Sequence, residues 1–170
     1  MSLSSGIKYV TMKTGLRFSE NIAELEEIFD RFNSTRELMP GIEELLALLK
    51  KKDIRTAVIS NNAMSGEGLS LAIKRWIPSS EFEFCLTSAD ILFAKPHKAL
   101  FLAAAKYAGL DPSECWYCGD SMLPDIVGSG NAGMFPVLIF EKADAPVTCT
   151  DAYMTINSWN ELTKYISEMN

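Results

Sequence analysis

Residues after Pro40 alternate between helix-like and strand-like patterns, and this alternation constrains the fold more than any other feature. A β-branched run predicts a strand at 54–59, and further short strands are predicted at 82–87, 115–118, 136–140 and 153–156. Between and around them, three- and four-residue apolar spacing predicts helices at 41–52, 65–76, 97–108, 123–132 and 159–168. Strands joined by helices form parallel sheets. The chain is therefore predicted to be α/β, a three-layer Rossmann-like parallel sheet with helices on both faces.

Polar residues follow three of these strands at the point where each strand ends. Ser60 and Asn61 follow the first, Lys95 lies in the loop after the second, and Asp120 and Asp125 follow the third. Ligands of such sheets bind at the carboxyl ends of the strands. Hydroxyl, amide and ammonium groups bind phosphate oxygens, and two carboxylates suit Mg²⁺. The sequence predicts a site for phosphate, held by Ser60, Asn61 and Lys95, and for Mg²⁺, held by the two aspartates.

Composition excludes several partners. The 170 residues carry 16 basic and 22 acidic side chains, a formal net charge of −6. That balance argues against nucleic acid and anionic membranes, since both require a basic face. The basic run at 50–52 falls where a helix ends and is interpreted as a favourable interaction with the helix dipole. The length predicts one domain, or one with a small appendage. Without an apolar run of about 20 residues or a signal-peptide pattern, the chain is expected to be cytoplasmic and outside the membrane.

Four cysteines are present, at positions 85, 115, 118 and 149. The pair Cys115 and Cys118 has the spacing of redox and zinc motifs. However, the sequence contains no second pair of this kind, and its one histidine, His97, is assigned no role. Because the pair falls on a predicted strand, buried reduced thiols are the favoured interpretation.

Three segments, between Met39 and Phe140, resemble the haloacid dehalogenase superfamily, whose commonest members are Mg²⁺-dependent phosphatases. MPGIEELLALLKKKDIRTAVISNN resembles the helix and strand of the second motif, FAKPHKALF the third motif, and CWYCGDSMLPDIVGSGNAGM the fourth. The tail DAYMTINSWNEL resembles the last strand and helix. The resemblance implies that Ser60 and Lys95 bind phosphate, that Asp120 ligates Mg²⁺ and that Asp125 assists. It also implies a small phosphate monoester as substrate, with dehalogenation a lesser alternative.

The superfamily's first motif, a strand ending in Asp-x-Asp, has no counterpart before Ser60. Its first aspartate is the family's nucleophile and its second the general acid and base. Asp30 is rejected as a substitute, because AELEEIFDRF has helical spacing. The segment from Ile7 to Met12 is strand-like and would place Thr11 and Lys13 where the two aspartates belong. No catalytic residue is therefore assigned.

Residues 40–170 are predicted to form the α/β core. Residues 1–39 have two interpretations, which are compatible with each other. The favoured one is a remnant of the family's helical cap, with Ser19 as the N-cap of its last helix. In the other, Ile7–Met12 replaces the absent first strand. A sheet without that strand exposes two edges, so the N-terminal segment, a rearranged sheet or a partner chain must fill the gap, and a homodimer is one expectation.

Three functional hypotheses remain open at this point. The first is Mg²⁺-dependent hydrolysis of a phosphate monoester by an intact gene product. The second is a pseudoenzyme that binds a phosphoryl ligand or a protein without catalysis. The third is a truncated chain with no activity of its own.

Overall fold

A computed structural model describes residues 2–35, 37–139, 148–149 and 152–169, with the backbone alone at 148–149. Two of the predictions fall partly outside these residues. The last residue of the strand predicted at 136–140, Phe140, is not described, and neither is the thiol of Cys149.

Helices and strands alternate along the described chain after Pro40, as the sequence predicts. The helices are α1 (Leu3–Thr14), α2 (Ile22–Asn33), α3 (Ile42–Lys51), α4 (Gly66–Trp76), α5 (Ser88–Ile91), α6 (Lys98–Ala108), α7 (Gly128–Asn131) and α8 (Trp159–Glu168). The strands are β1 (Val58–Ser60), β2 (Cys85–Thr87), β3 (Trp116–Gly119), β4 (Phe135–Ile139), β5 (Thr148–Cys149) and β6 (Met154–Ile156). A 3-10 turn spans Pro112–Glu114 and a π-helix spans Met122–Val127. Within the described ranges, no helix has the length and apolar character needed to cross a bilayer.

Helix ends follow local chemistry that is visible in the sequence. In α6, the His97 Nδ1 accepts from the Ala99 N–H at the start, and Gly109 ends the helix in the left-handed conformation at φ 68°. Glycine adopts that conformation without the steric cost that other residues incur. The helix predicted at 97–108 is thereby confirmed, and His97 has a capping role.

The chain forms two compact units, and the first comprises Met1–Glu37 and Arg55–Phe93. Its strands β1 and β2 are parallel, with Val58 opposite Cys85 and Ser60 opposite Thr87. Helix α2 packs against α4. The division of the chain at residue 39 stays a prediction, since it describes an evolutionary insertion rather than these packing units.

The second unit comprises Leu38–Ile54 and Ala94–Asn170. Its sheet has the order β3-β4-β6-β5, with β3, β4 and β6 parallel and β5 antiparallel to β6. Helices α3 and α8 pack on this sheet and enclose a core of Leu45, Val137, Ile139, Met154, Ile156, Leu162 and Ile166. The α/β class and the parallel pairing are confirmed, although the strands belong to two sheets rather than one.

The strand expected at Ile7–Met12 is wrong, because these residues lie inside helix α1. The Ser2 side chain accepts from the Ser5 N–H and caps its start, and Gly15 ends it at φ 72°. Caps at both ends favour the helix over the strand preference of its β-branched residues. This segment therefore adds no strand to a sheet, and Thr11 and Lys13 do not follow one.

Helix α2 confirms the helical interpretation of AELEEIFDRF, but its N-cap is Asn21 rather than Ser19. The Asn21 side chain accepts from the Glu24 N–H at 3.0 Å, and Glu24 accepts from the Asn21 N–H at 2.7 Å. This capping box satisfies two backbone N–H groups at once, which a cap at Ser19 would not do for a helix beginning at Ile22.

Cys85, Cys115 and Cys118 are free thiols, which confirms that this CxxC pair is not a disulfide. Burial raises the pKa of the Cys118 thiol to about 12 and that of the Cys85 thiol to about 11. Both thiols therefore stay protonated at neutral pH, which makes them poor nucleophiles and metal ligands.

Candidate functional site

Three side chains of the second unit, Lys95, Tyr117 and Asp125, form a hydrogen-bonded set that we call the lysine cluster. The Lys95 Nζ donates to Asp125 Oδ1 at 2.6 Å and to the Tyr117 hydroxyl at 2.9 Å. The Tyr117 hydroxyl in turn donates to Asp125 Oδ1 at 3.0 Å. The side chains of Lys95 and Asp125 are 13% and 4% exposed. Because water is largely excluded, the charges interact more strongly than they would on the surface.

The backbone after β3 fixes the Asp125 carboxylate in place. Asp125 Oδ2 accepts from the Ser121 N–H at 3.0 Å, and the Ser129 hydroxyl donates to the Asp125 carbonyl at 2.6 Å. A Cβ at Gly119 would lie only 2.4 Å from Asp125 Cγ, so this approach requires glycine. Each carboxylate oxygen of Asp125 therefore has a donor within the protein, and the carboxylate holds the loop at 119–121 against the π-helix.

Tyr117 is a member of this site that the sequence interpretation missed. Burial raises the pKa of Tyr117 far above its usual range, and the Asp125 charge raises it further, so its hydroxyl stays protonated. Its ring meets that of Phe101 edge to face, with centroids 4.9 Å apart. Tyr117 and Gly119 lie two residues apart on β3 and so share a face of the strand. This two-residue spacing is the sequence signal that could have identified Tyr117, because it places Tyr117 on the same face of β3 as Gly119, the residue that Asp125 approaches.

Asp120, the other predicted metal ligand, is exposed and has a single weak contact, with the Ser121 hydroxyl at 3.4 Å. Mg²⁺ prefers octahedral oxygen ligands, often one or two carboxylates with water and substrate oxygens. Asp125 does not fit that role, because its carboxylate already accepts from Lys95, Tyr117 and Ser121. No three potential ligands from histidine, cysteine, aspartate and glutamate gather within the described ranges. Asp120 thus offers an exposed carboxylate to a cation, whereas the Asp125 carboxylate is already hydrogen-bonded, and the Mg²⁺ site at these two aspartates stays a prediction.

Ser60 and Asn61 lie in the first unit, where β1 ends. Ser60 is the last residue of β1 and is half-buried, whereas Asn61 is exposed. Among the residues that the structure describes, the Ser60 hydroxyl has no hydrogen-bond partner. A half-buried hydroxyl at a strand end is therefore available to an acceptor such as a phosphate oxygen.

The chain around Ser60 is held by the turn after β2. The Asn62 N–H and carbonyl both contact the Ser88 hydroxyl at 3.1 Å. Asp90 Oδ2 accepts from the backbone N–H groups of Gly66 and Thr87 at 3.0 and 2.8 Å. These bonds leave the 61–65 segment little freedom, so the position of Ser60 is set by rigid neighbours.

Two of the five predicted site residues, Lys95 and Asp125, are in direct contact. Asp120 lies in the same unit without contacting either of them in the described bonds. Ser60 and Asn61 belong to the first unit.

Known proteins resemble this chain in sequence and in fold. A protein from Mus musculus, "Haloacid dehalogenase-like hydrolase domain-containing protein 3", is 29% identical over 122 residues, which are 67% of this chain and 45% of that protein. "Glyceraldehyde 3-phosphate phosphatase" from Methanothermobacter thermautotrophicus is 30% identical over 106 residues, covering 59% of this chain and 43% of that protein. The crystal structure of an HAD phosphatase from Thermococcus onnurineus has a TM-score of 0.66 at 22% identity, covering 94% of this chain and 69% of the other.

The chain spans about half the length of these two sequence relatives. The family described as haloacid dehalogenase-like hydrolase matches residues 2–139, which is most of the chain. That match covers the three motifs on which the resemblance was based. The chain belongs to the haloacid dehalogenase-like hydrolase family.

Proposed function

We propose that this chain is the phosphate-binding portion of a phosphatase that acts on a small phosphate monoester. The observation that carries the proposal is the Lys95 ammonium group, which is mostly buried and fixed by two hydrogen bonds next to the end of β3. A buried, oriented ammonium group is costly unless it is paired and hydrogen-bonded, and such groups serve as point charges for phosphate. The similarity to a glyceraldehyde 3-phosphate phosphatase supports the substrate class.

Phosphate-binding roles are proposed for Ser60 and Asn61 in the first unit and, separately, for Lys95 in the second unit. Ser60 supplies a hydroxyl without a partner among the described residues, Asn61 supplies an exposed amide, and Lys95 supplies a positive charge. A hydroxyl and an amide can donate to phosphate oxygens, and the ammonium group adds charge-assisted bonds. The roles of these residues follow from their chemistry and from the family motifs at the same positions.

Catalysis requires more than this set. The family's reaction passes through an aspartate nucleophile, and no Asp-x-Asp occurs before Ser60. The described elements before β1 are the helices α1, α2 and α3. We therefore propose that these 170 residues bind a phosphoryl ligand but do not hydrolyse it.

Magnesium enters the proposal only through Asp120. Its carboxylate is exposed, whereas a cation at Asp125 would have to displace Lys95. We expect Mg²⁺ to bind this chain weakly, because one carboxylate with water ligands gives little selectivity or affinity. A homodimer remains a separate prediction that the intact family fold does not require.

Two measurements on the 170-residue chain test the proposal. Binding of inorganic phosphate is followed by ³¹P NMR line broadening, and hydrolysis of p-nitrophenyl phosphate is followed with and without MgCl₂. We expect phosphate binding without turnover, and binding that falls about tenfold or more in Lys95→Met, since a charge-assisted bond contributes roughly 1.5–3 kcal/mol.

Lys98→Met is the matched control, because Lys98 is an exposed lysine on α6 three residues away. It should leave phosphate affinity unchanged. Absence of phosphate binding by the wild-type chain would refute the proposed ligand. Mg²⁺-dependent turnover that Asp120→Asn abolishes would refute the absence of catalysis.

A further inference from the structure

Tyr117 belongs to the lysine cluster, although the family motifs assign it no role. We infer that Tyr117 is a positioning residue, which holds the Lys95 ammonium group in the orientation that binds phosphate. This inference rests on the proposed function, since it specifies how one of the phosphate-binding groups is set in place.

Hydrogen-bond geometry supports this role. Lys95 Nζ contacts Asp125 Oδ1 at 2.6 Å, a single point about which the ammonium group and its flexible stem could turn. The Tyr117 hydroxyl provides a second acceptor at 2.9 Å and is itself directed by donating to the same Asp125 oxygen at 3.0 Å. Two acceptors hold two of the three N–H directions of a lysine, which limits how far the ammonium group can turn.

The Tyr117 ring is held from the opposite side. Its edge-to-face contact with Phe101, a side chain that is 0% exposed, leaves the phenol little freedom to turn. Phe101 is in turn confined, because a Cβ at Gly128 would lie 2.8 Å from its Cε2. The hydroxyl therefore reaches Lys95 from a ring that is packed in the interior, which is how a precise binding geometry is usually maintained.

A protonated phenol is the chemical form that this role needs. The hydroxyl must donate to Asp125 while it accepts from Lys95, and a phenolate could not donate. A protonated Tyr117 also leaves the cluster with one positive and one negative charge, because it adds no second negative charge beside Lys95. A phenylalanine at the same position would retain the ring contact and the 5.5 Å approach of Lys95 Nζ to the ring centre, and would lose only the hydroxyl.

Tyr117→Phe is therefore the variant that tests the inference, with Tyr165→Phe as its matched control. Tyr165 lies in the same unit, on α8, and is 36% exposed, and no described hydrogen bond involves its hydroxyl. The first measurement is the affinity for inorganic phosphate. We expect Tyr117→Phe to weaken it about fivefold, the effect of roughly one hydrogen bond, and Tyr165→Phe to leave it unchanged.

The second measurement does not depend on phosphate. The ¹H–¹⁵N resonance of the Lys95 ammonium group is identified by its loss in Lys95→Met, and its hydrogen exchange with water is measured in the free protein. Tyr117→Phe should shift this resonance and accelerate exchange about fivefold, because one hydrogen bond to the ammonium group is lost. A purely structural role for Tyr117 would lower the melting temperature without moving this signal.

Phe101→Leu separates the hydroxyl from the packing. It removes the ring contact and keeps the Tyr117 hydroxyl, so it should reduce stability while phosphate affinity falls less than in Tyr117→Phe. An unchanged Lys95 resonance in Tyr117→Phe would overturn the inference, and so would an unchanged phosphate affinity in that variant. If the wild-type chain binds no phosphate, the proposed function fails, and the Lys95 resonance still decides whether Tyr117 positions the lysine.

Discussion

Replacing Asp125 by asparagine removes one negative charge from the lysine cluster and changes almost no volume. Asp125 accepts two hydrogen bonds on Oδ1 and one on Oδ2. With its oxygen at Oδ1, an asparagine still accepts from Lys95 and Tyr117 but directs an NH₂ group at the Ser121 N–H. With the amide reversed, its oxygen accepts from the Ser121 N–H, but its NH₂ group faces the donors of Lys95 and Tyr117. In both orientations a donor is opposed by a donor, and Lys95 loses its counter-charge.

The magnitude follows from burial. Removing one partner of a fully buried ion pair costs about 3–5 kcal/mol. Lys95 is 13% exposed and the asparagine keeps part of the hydrogen bonding, so we expect a loss of about 2–3 kcal/mol in the free energy of unfolding. At about 2–4 °C per kcal/mol for a chain of this size, the melting temperature of the chain should fall by roughly 4–12 °C.

Urea unfolding followed by tryptophan fluorescence measures this cost in the second unit. Trp116 and Trp159 lie in that unit and Trp76 lies in the first, so a Trp76→Phe background makes the fluorescence report on the second unit alone. Asp111→Asn is the control, because Asp111 caps the 3-10 turn and asparagine caps equally well. It should change stability by less than about 0.5 kcal/mol.

A double variant sharpens the result. Lys95→Met combined with Asp125→Asn leaves no unpaired charge in the cluster, so it should be more stable than the sum of the two single losses predicts. If Asp125→Asn unfolds at the same urea concentration as its parent, with the same m-value, the argument that this carboxylate stabilises the unit is refuted.

Two further predictions concern the first unit. Gly68→Ala should destabilise it by about 1–3 kcal/mol, despite the higher helix propensity of alanine, because the new Cβ would lie 2.4 Å from Glu26 Oε2 and 2.9 Å from its Cβ. Gly6→Ala, which meets nothing within 4 Å on α1, should instead raise the melting temperature, and equal effects would contradict the packing argument. Hydrogen bonds from Arg31 lower the pKa of Glu27. Ionised Glu27 therefore stabilises the folded state at pH values above the usual glutamate pKa, and this stabilisation is lost as the pH falls through the lowered pKa. Glu27→Gln should therefore lose less stability than the wild type between about pH 6 and pH 3, and parallel urea-unfolding curves across that range would contradict this prediction.

Strand and helix patterns after Pro40 were sufficient to predict the α/β class and the strand ends at which the candidate residues lie. Ser60 ends β1, and the loop that carries Asp120 follows β3, because these positions depend on local periodicity and on glycine. Periodicity does not specify which strands pair, and the strands form two sheets where one was expected. Pairing depends on contacts between residues far apart in sequence, which a local pattern does not contain.

The strand offered for Ile7–Met12 was wrong for a related reason. Ile7, Tyr9 and Val10 favour a strand by composition, which made this segment a candidate for the absent first strand. Strand propensity depends on what the side chains pack against, whereas a cap acts within a few residues of the helix end. In α1, whose side chains are not buried, the local caps decide the structure.

Asp120 and Asp125 show why a motif alone does not determine the role of a residue. The sequence assigned both aspartates to a cation, since they belong to one Gly-Asp motif. The structure gives them different surroundings, with Asp120 exposed and Asp125 accepting from Lys95, Tyr117 and Ser121. Lys95 is 30 residues from Asp125 and 22 from Tyr117 in the chain, so no spacing rule predicts their contact.

The same contact defines what the lysine can do. Asp125 gives the Lys95 ammonium group a counter-charge, and Tyr117 occupies a second N–H without adding a charge. The ion pair has no net charge, so the attraction of this cluster for phosphate depends on the direction of the ammonium group rather than on a long-range field. Positioning by Tyr117 and charge pairing by Asp125 are therefore two requirements of one binding group.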